Sequence, residues 1–417
     1  MTLLSPELAA RLATGVYNLN EASILSDAER IKSLDCEPEF SQKPDPSNEQ
    51  APFMRSASGA LPGVPLYLGS TPNKGMQLQR EPFTTNFGYF AMGRKSARHG
   101  DWDGHMIVVT RGSMGAKGKS PDWISNYNIG LQPGPGGLPV HAGFNRIWSP
   151  LRNFVANAVK EHKPTHIHCV GHSLGGALAN LTAEMLALEG KTVSLYTFGA
   201  PRVGTKDFAA DLTQQRHLQA MRVYHPADPV PMIPMFPFLH APLSGGIRLA
   251  APTGLLFDGA MHDMEDSYGT MLLGKTDWSQ LAAPSPFGDF QVDSWLQQAA
   301  KQRGGFIMHS AALLEKISIG LARLIKKAMI YAAGSVGVAA TAAFTALDAI
   351  AWLLSRAAEM AVAIGEEILG LVNAIFGFLG RVTNSIVKLT QAALRWVLEL
   401  LYSYLASVAK RAIDRLR

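Results

Sequence analysis

Short runs of apolar, β-branched residues recur through the middle of the chain: His105–Thr110, Thr165–Val170, Thr192–Phe198 and Met221–Tyr224. Between them, Trp148–His162 and Gly175–Leu188 have helical spacing. This alternation predicts an α/β domain, a sheet with parallel strands covered on both faces. Residues 1–100 are mixed, with loops at Pro44-Asp45-Pro46-Ser47 and Leu61-Pro62-Gly63. From Ala311 onward there is no proline, and Ala, Leu, Ile and Val dominate. The pattern divides the chain into an N-terminal segment (1–100) packed on the core, an α/β domain (101–300) and an all-α C-terminal region (301–417).

The C-terminal region offers two readings. Ala328–Leu347 is an uncharged run of 20 residues and Ile368–Gly380 one of 13, against the ~20 that a spanning helix needs. The first is long enough but rich in Ala, Gly, Ser and Thr. Ile375, Leu379, Val382, Ile386, Leu389, Ala393, Trp396 and Leu400 trace one helical stripe, and Arg381, Lys388 and Arg395 another. Either the helices form a bundle, packed on the first domain or on another subunit, or they lie on or in a membrane.

Charge sharpens the contrast. Residues 301–417 carry 14 Lys and Arg against 7 Asp and Glu, whereas the whole chain has a net charge of only +5. Basic excess in an apolar segment suits anionic lipid. No zinc-finger spacing, RNP-like stretch or interleaved basic–aromatic array points to nucleic acid. With 47% hydrophobic and 17% charged residues the chain is not disordered, and two cysteines (Cys36, Cys169) exclude a disulfide scaffold. Met1–Asn20 lacks the basic and apolar regions of a Sec signal peptide, so export would use another route.

Val170-Gly171-His172-Ser173-Leu174-Gly175-Gly176-Ala177 contains G-x-S-x-G between an expected strand and an expected helix. That is the setting of a nucleophile elbow, in which a sharp turn lifts the serine above the sheet edge. Ser173 would be the nucleophile, with the Leu174 N–H aimed at a developing oxyanion. A serine needs a base and an orienting acid, which in such folds follow in the order acid, then His. Asp228, in His225-Pro226-Ala227-Asp228-Pro229-Val230-Pro231, follows an expected strand. His225 is too close to it in sequence, and chain order leaves both His240 and His262 open. In the cluster His162, His166 and His168, the last two alternate on one face of a short strand without a nearby acidic ligand, and the cluster reads as packing or hydrogen-bonding residues.

Five blocks together resemble the class 3 lipase family, α/β-hydrolases that cleave acyl esters of glycerolipids. They are Ile107–Ser113, Val140–Phe144, the Ser173 elbow, Thr197–Gly204 and Arg222–Pro234, all in family order. The resemblance implies an α/β-hydrolase core with Ser173 as nucleophile, Asp228 as acid and His262, upstream of Tyr268, as base; His240 matches a non-catalytic position. Ser113 matches the second oxyanion donor, and Met114–Tyr127, with Trp123 and Ile124, matches a lid. No metal or organic cofactor is implied.

The expected function is a serine hydrolase of membrane glycerolipids, of the lipase or phospholipase A type, which meets the bilayer through its C-terminal helices. An exported antibacterial toxin with a neutralising partner or a secretion-apparatus partner fits the same features. A non-lipid esterase or thioesterase, or a membrane-perturbing protein whose helical tail carries the activity, are the alternatives. On this reading, removing residues 301–417 would leave turnover of soluble short esters intact.

Overall fold

The computed structural model describes residues 2–18, 59–61, 64–66, 83–85, 88–93, 95–96, 100–112, 130–235, 237–243, 245–251, 255–281, 289–302, 305–332, 346–381 and 388–415. Among the described residues, seven strands form one sheet in sequence order: β1 (Gly59–Leu61), β2 (Gly88–Met92), β3 (His105–Thr110), β4 (His166–His172), β5 (Val193–Phe198), β6 (Leu218–Tyr224) and β7 (Ile247–Arg248). β1, β2 and β3 pair antiparallel, and β3 through β7 run parallel. The crossovers are α2 (Ala142–His162) between β3 and β4, α3 (Leu174–Leu188) between β4 and β5, and α4 (Lys206–Gln214) between β5 and β6.

Two faces of apolar residues make two cores. Met106, Val108, Ile167, Cys169, Val193 and Leu195 point to one face, beneath α2 and α3. Ile107, Val109, Val170, Tyr196, Phe198 and Val223 point to the other. There they meet α1 (Pro6–Gly15) through Leu8 and Leu12, together with Met264, Tyr268 and Leu272. Because both faces are covered, β4 is buried along its whole length and reads as a continuous run rather than an alternating one. α3 lies so deep that nearly every residue is buried, Glu184 included.

The C-terminal helices are α5 (Asp289–Lys301), α6 (Ala311–Ala332), α7 (Ala346–Met360), α8 (Val362–Phe378) and α9 (Gln391–Arg415). Leu314, Ile317, Ile368, Ile375 and Leu401 belong to the same buried cluster as α2 and α3. A bidentate pair adds to the junction: Arg248 on β7 donates to Glu315 on α6 at 2.8 and 3.0 Å. This is an α/β-hydrolase arrangement extended by an all-α region packed on one side of it.

The single stripe expected from Ile375 to Leu400 does not exist. α8 ends at Phe378, Gly380 adopts φ +67°, and α9 starts afresh at Gln391. A left-handed glycine stops a helix, and the next one enters with a new phase. The buried seam of α9 is therefore Leu394, Val397, Leu398, Leu401, Leu405 and Val408, while Trp396 is about half exposed, at 49%. Val382 and Ile386 lie outside the described residues. Arg395, expected on a basic stripe, is paired with Asp348 and Glu399. No described helix is long and apolar enough to cross a membrane. The uncharged run Ala328–Leu347 lies largely in residues 333–345, outside the described ones.

Burial pushes the Glu184 carboxyl up to about 8, with Asp211 adding to the shift. A buried carboxyl kept protonated stabilises the fold below its unfolded pKa, and that contribution is lost as pH rises through the folded value. Glu184→Gln keeps the shape of the protonated acid. Its urea midpoint should equal the parent's near pH 4 and exceed it increasingly toward pH 8; parallel pH profiles would mean that Glu184 ionises freely.

Candidate active site

β4 delivers Ser173 into a strained turn: its φ and ψ are 56° and −131°, and α3 begins at the next residue. The turn closes tightly because residue 175 is glycine. A Cβ there would strike the backbone of Thr110 and Arg111 on the neighbouring chain segment. The Ser173 hydroxyl is thereby fixed at the positive end of α3, and Leu174 N–H is among the helix's first, unpaired donors.

The structure brings three distant residues together at that hydroxyl. Ser173 Oγ lies 2.8 Å from His262 Nε2, and His262 Nδ1 lies 2.9 Å from Asp228 Oδ2. All three are fully buried. Asp228 Oδ2 also accepts from the Tyr268 hydroxyl at 2.7 Å, and Oδ1 accepts from Val230 N–H at 2.8 Å. The Tyr268 oxygen in turn accepts from His225 N–H at 3.0 Å. Burial first, then the adjacent Asp228, hold the Tyr268 phenol well above its ordinary pKa, so it serves as a donor. Gly199, at φ +54°, floors the group, since a Cβ would sit 2.6 Å from Asp228 Oδ2.

With Nδ1–H given to Asp228, His262 Nε2 has a free lone pair for the serine proton. The arrangement can therefore turn a hydroxyl into a nucleophile.

A second histidine holds the first. His172 Nε2 lies 2.9 Å from the His262 carbonyl oxygen, and its Nδ1 lies 2.6 Å from the Tyr17 hydroxyl. A carbonyl only accepts, so Nε2 carries the proton and Nδ1 accepts from Tyr17. Burial keeps the His172 pKa well below its ordinary value, consistent with this neutral ring. Tyr17 completes the chain by accepting from Gly112 N–H at 3.1 Å. Sequence reasoning missed this relay. His172 occupies a position inside the elbow motif, but nothing in the pattern links it to Tyr17, which is 155 residues away.

The loop that carries His262 is fastened from the C-terminal side. Phe257 N–H donates to His309 O at 2.6 Å, and Ala311 N–H donates to Leu255 O at 3.0 Å. The Phe257 ring packs against Phe378 and Tyr404, and Ala412 on α9 lies against Gly259. Asp258 caps the turn leading to His262 and meets Arg415 at 3.4 Å. Residues of the C-terminal helices thus pack on the loop that bears the imidazole, a contact that the expectation of intact turnover without residues 301–417 did not include.

The other sequence candidates are placed as follows. His240 is not among the partners of Ser173 or Asp228. It is partly buried near Arg222 and Arg202, and desolvation first, then these cations, lower its pKa. His225 accepts from Ala227 N–H at 3.1 Å and shapes the Asp228 loop. Ser113, Trp123 and Ile124 lie outside the described residues.

Of the expected trio His162, His166 and His168, the last two cluster with His105 instead. His162 packs beside Phe90. Burial lowers the pKa of His166 to about 4 and that of His168 well below the ordinary value.

Residues 107–238 match the family model described as lipase (class 3). The secreted mono- and diacylglycerol lipase 1 of Fusarium solani is 39% identical over 162 residues, covering 37% of this chain and 45% of that one. Phospholipase A1-II 1 of Oryza sativa subsp. indica is 29% identical over 178 residues, covering 36% and 43%. Toxin TseL of Vibrio cholerae is 35% identical over 101 residues, covering 24% and 15%. The chain thus spans less than half the length of each of these relatives.

Tyr17→Phe removes the hydroxyl that serves both His172 and Gly112, leaving two buried groups without their partner. It should cost about 1–3 kcal/mol in urea-derived stability. A variant as stable as the parent would mean that the relay is not formed.

Proposed function

We propose, from the membership of residues 107–238 in the class 3 lipase family, that the chain is a serine hydrolase of membrane glycerolipids, of the lipase or phospholipase A type. The observation that carries this reading is the continuous hydrogen-bonded line from Ser173 through His262 to Asp228, set at a strand–turn–helix elbow.

In the proposed mechanism His262 Nε2 takes the Ser173 proton as Oγ attacks the ester carbonyl carbon. Leu174 N–H and the Ser113 position receive the oxyanion, each such donor being worth about 2.7–4 kcal/mol in the transition state. Asp228 holds the imidazolium in place. His262 then protonates the departing alcohol, deprotonates a water that attacks the acyl-serine, and returns the proton to Ser173 as the fatty acid leaves. Because Ser173 is fully buried, an ester reaches it only after the cover over it opens. A lid bearing Trp123 and Ile124 that opens on contact with lipid would supply that movement.

The substrate class is supported by the printed names of the lipase and phospholipase relatives. The net charge of +7 over residues 301–417 suits an anionic bilayer surface. Similarity to a protein named as a toxin favours a role as an antibacterial effector with a neutralising protein partner.

Incubation with mixed phospholipid vesicles, followed by mass spectrometry, should show free fatty acid from the parent and none from Ser173→Ala. Turnover limited to short soluble esters or thioesters would favour a non-lipid esterase. Vesicle leakage that survives Ser173→Ala would favour a membrane-perturbing tail. Asp228→Asn should lower kcat by roughly 10⁴-fold with the fold intact, because the imidazole takes the wrong tautomer; near-parental turnover would assign the acid elsewhere. A chain ending at residue 300 should lose turnover of soluble short esters as well as of lipids, and retained activity would show that the His262 loop holds itself.

A further inference from the structure

We propose that His105, His166 and His168 form a binding site for a divalent transition-metal ion of the zinc class, at the end of the sheet remote from Ser173. The site is independent of the hydrolytic reading. His105 opens β3 and His166 opens β4, and the strand register sets these two residues side by side. His168, two residues along β4, shares their face of the sheet. From His168 to Ser173 the strand advances roughly 17 Å, so the cluster and the serine occupy opposite ends of β4.

Three features make this a built site. First, one ring nitrogen from each histidine lies within 4.8 Å of one from each of the others. Second, each of the two buried imidazoles has one nitrogen engaged by a hydroxyl on β5. His166 Nε2 lies 2.9 Å from Ser194 Oγ, and His168 Nδ1 lies 3.2 Å from Tyr196 OH. The Tyr196 oxygen also receives Leu4 N–H at 2.9 Å. Hydrogen bonds of this kind orient metal-binding imidazoles and fix which nitrogen presents its lone pair. Third, His105 Nδ1 and His168 Nε2 face each other at 2.9 Å, with ring planes only 13° apart. Two lone pairs cannot face at that distance, so a proton sits between them.

A metal ion replaces that proton. Zinc binds imidazole at about 2.0–2.1 Å, which sets tetrahedral nitrogen neighbours about 3.3 Å apart. The His105–His168 separation needs to grow by only a few tenths of an ångström, but the rings must turn to aim at one ion, and His166, now stacked on His168 with centroids 4.3 Å apart, must swing in. Three neutral nitrogens without a carboxylate suit zinc, copper(II) or nickel(II) rather than magnesium or calcium. His105 is only partly buried and leaves an approach for the ion and for a water as fourth ligand, while Trp102 packs edge-on to His105 and His168. In balance, one divalent ion enters and the displaced proton moves to the other nitrogen of the same neutral ring, so none is released. The bound ion ties β3 to β4.

The test is calorimetric titration of the untagged full-length chain with zinc chloride, in two buffers of different ionisation enthalpy, with cobalt(II) absorption as a second probe. One equivalent should bind with little net proton release, and cobalt should show the intense visible bands of a tetrahedral site. His105→Ala, at the partly exposed start of a strand, and His168→Gln should each weaken binding tenfold or more, with circular dichroism unchanged for His105→Ala. His217→Ala, at an exposed histidine elsewhere, should bind as the parent does. No saturable uptake, or uptake unchanged in both cluster variants, would overturn the site.

Discussion

A carboxylate with no access to water must be satisfied by hydrogen-bond donors, because an uncompensated buried charge costs several kcal/mol. Asp228 meets that demand with His262 Nδ1–H and the Tyr268 hydroxyl on one oxygen and Val230 N–H on the other. Much of the surrounding architecture follows from supplying them. The loop after β6 must turn back on itself so that Val230 can donate, and the segment after His262 must bring the Tyr268 phenol inward. Residue 199 must have no side chain, since the space a Cβ would take is filled by the carboxylate and the imidazole.

The imidazole is constrained from both ends. Its ring bridges Asp228 and Ser173, while its backbone carbonyl receives His172 Nε2–H. His172 directly precedes the serine, so the residue that holds the His262 carbonyl and the residue hydrogen-bonded to its ring are chain neighbours. Each depends on the same backbone turn. Tyr17 brings the N-terminal segment into that arrangement, and residues from His309 to Arg415 bring in the C-terminal helices. The sheet supplies the platform, but pieces from both ends of the chain determine where the histidine stands.

Much of this was legible in the sequence where the signal was local. The elbow announces itself because its strand, turn glycines and helix are contiguous, and the parallel strands show because burial on both faces leaves continuous apolar runs. Asp228 stood out through its proline-flanked loop. The choice between His262 and His240 was not readable from spacing; it needed the family resemblance, because each follows Asp228 at a distance that a loop can span. Tyr17 was invisible, since a single hydroxyl acting across the fold leaves no periodic trace. The C-terminal stripe misled for the opposite reason: residues separated by three and four positions keep that spacing on paper even when Gly380 ends the helix between them. His105 was overlooked beside His166 and His168, because adjacency between parallel strands depends on register, and register is not written in either strand alone.

The attachment of Phe257 and Asp258 to the last helices bears on how such a chain diversifies. A helical region joined to an enzyme only by a linker can be exchanged freely between proteins. Here any exchange would have to carry a matching stretch near residues 255–263 with it, because aromatic rings and backbone amides interlock across the junction. Recombination at the linker alone would separate two surfaces shaped for each other, so the halves are constrained to vary together.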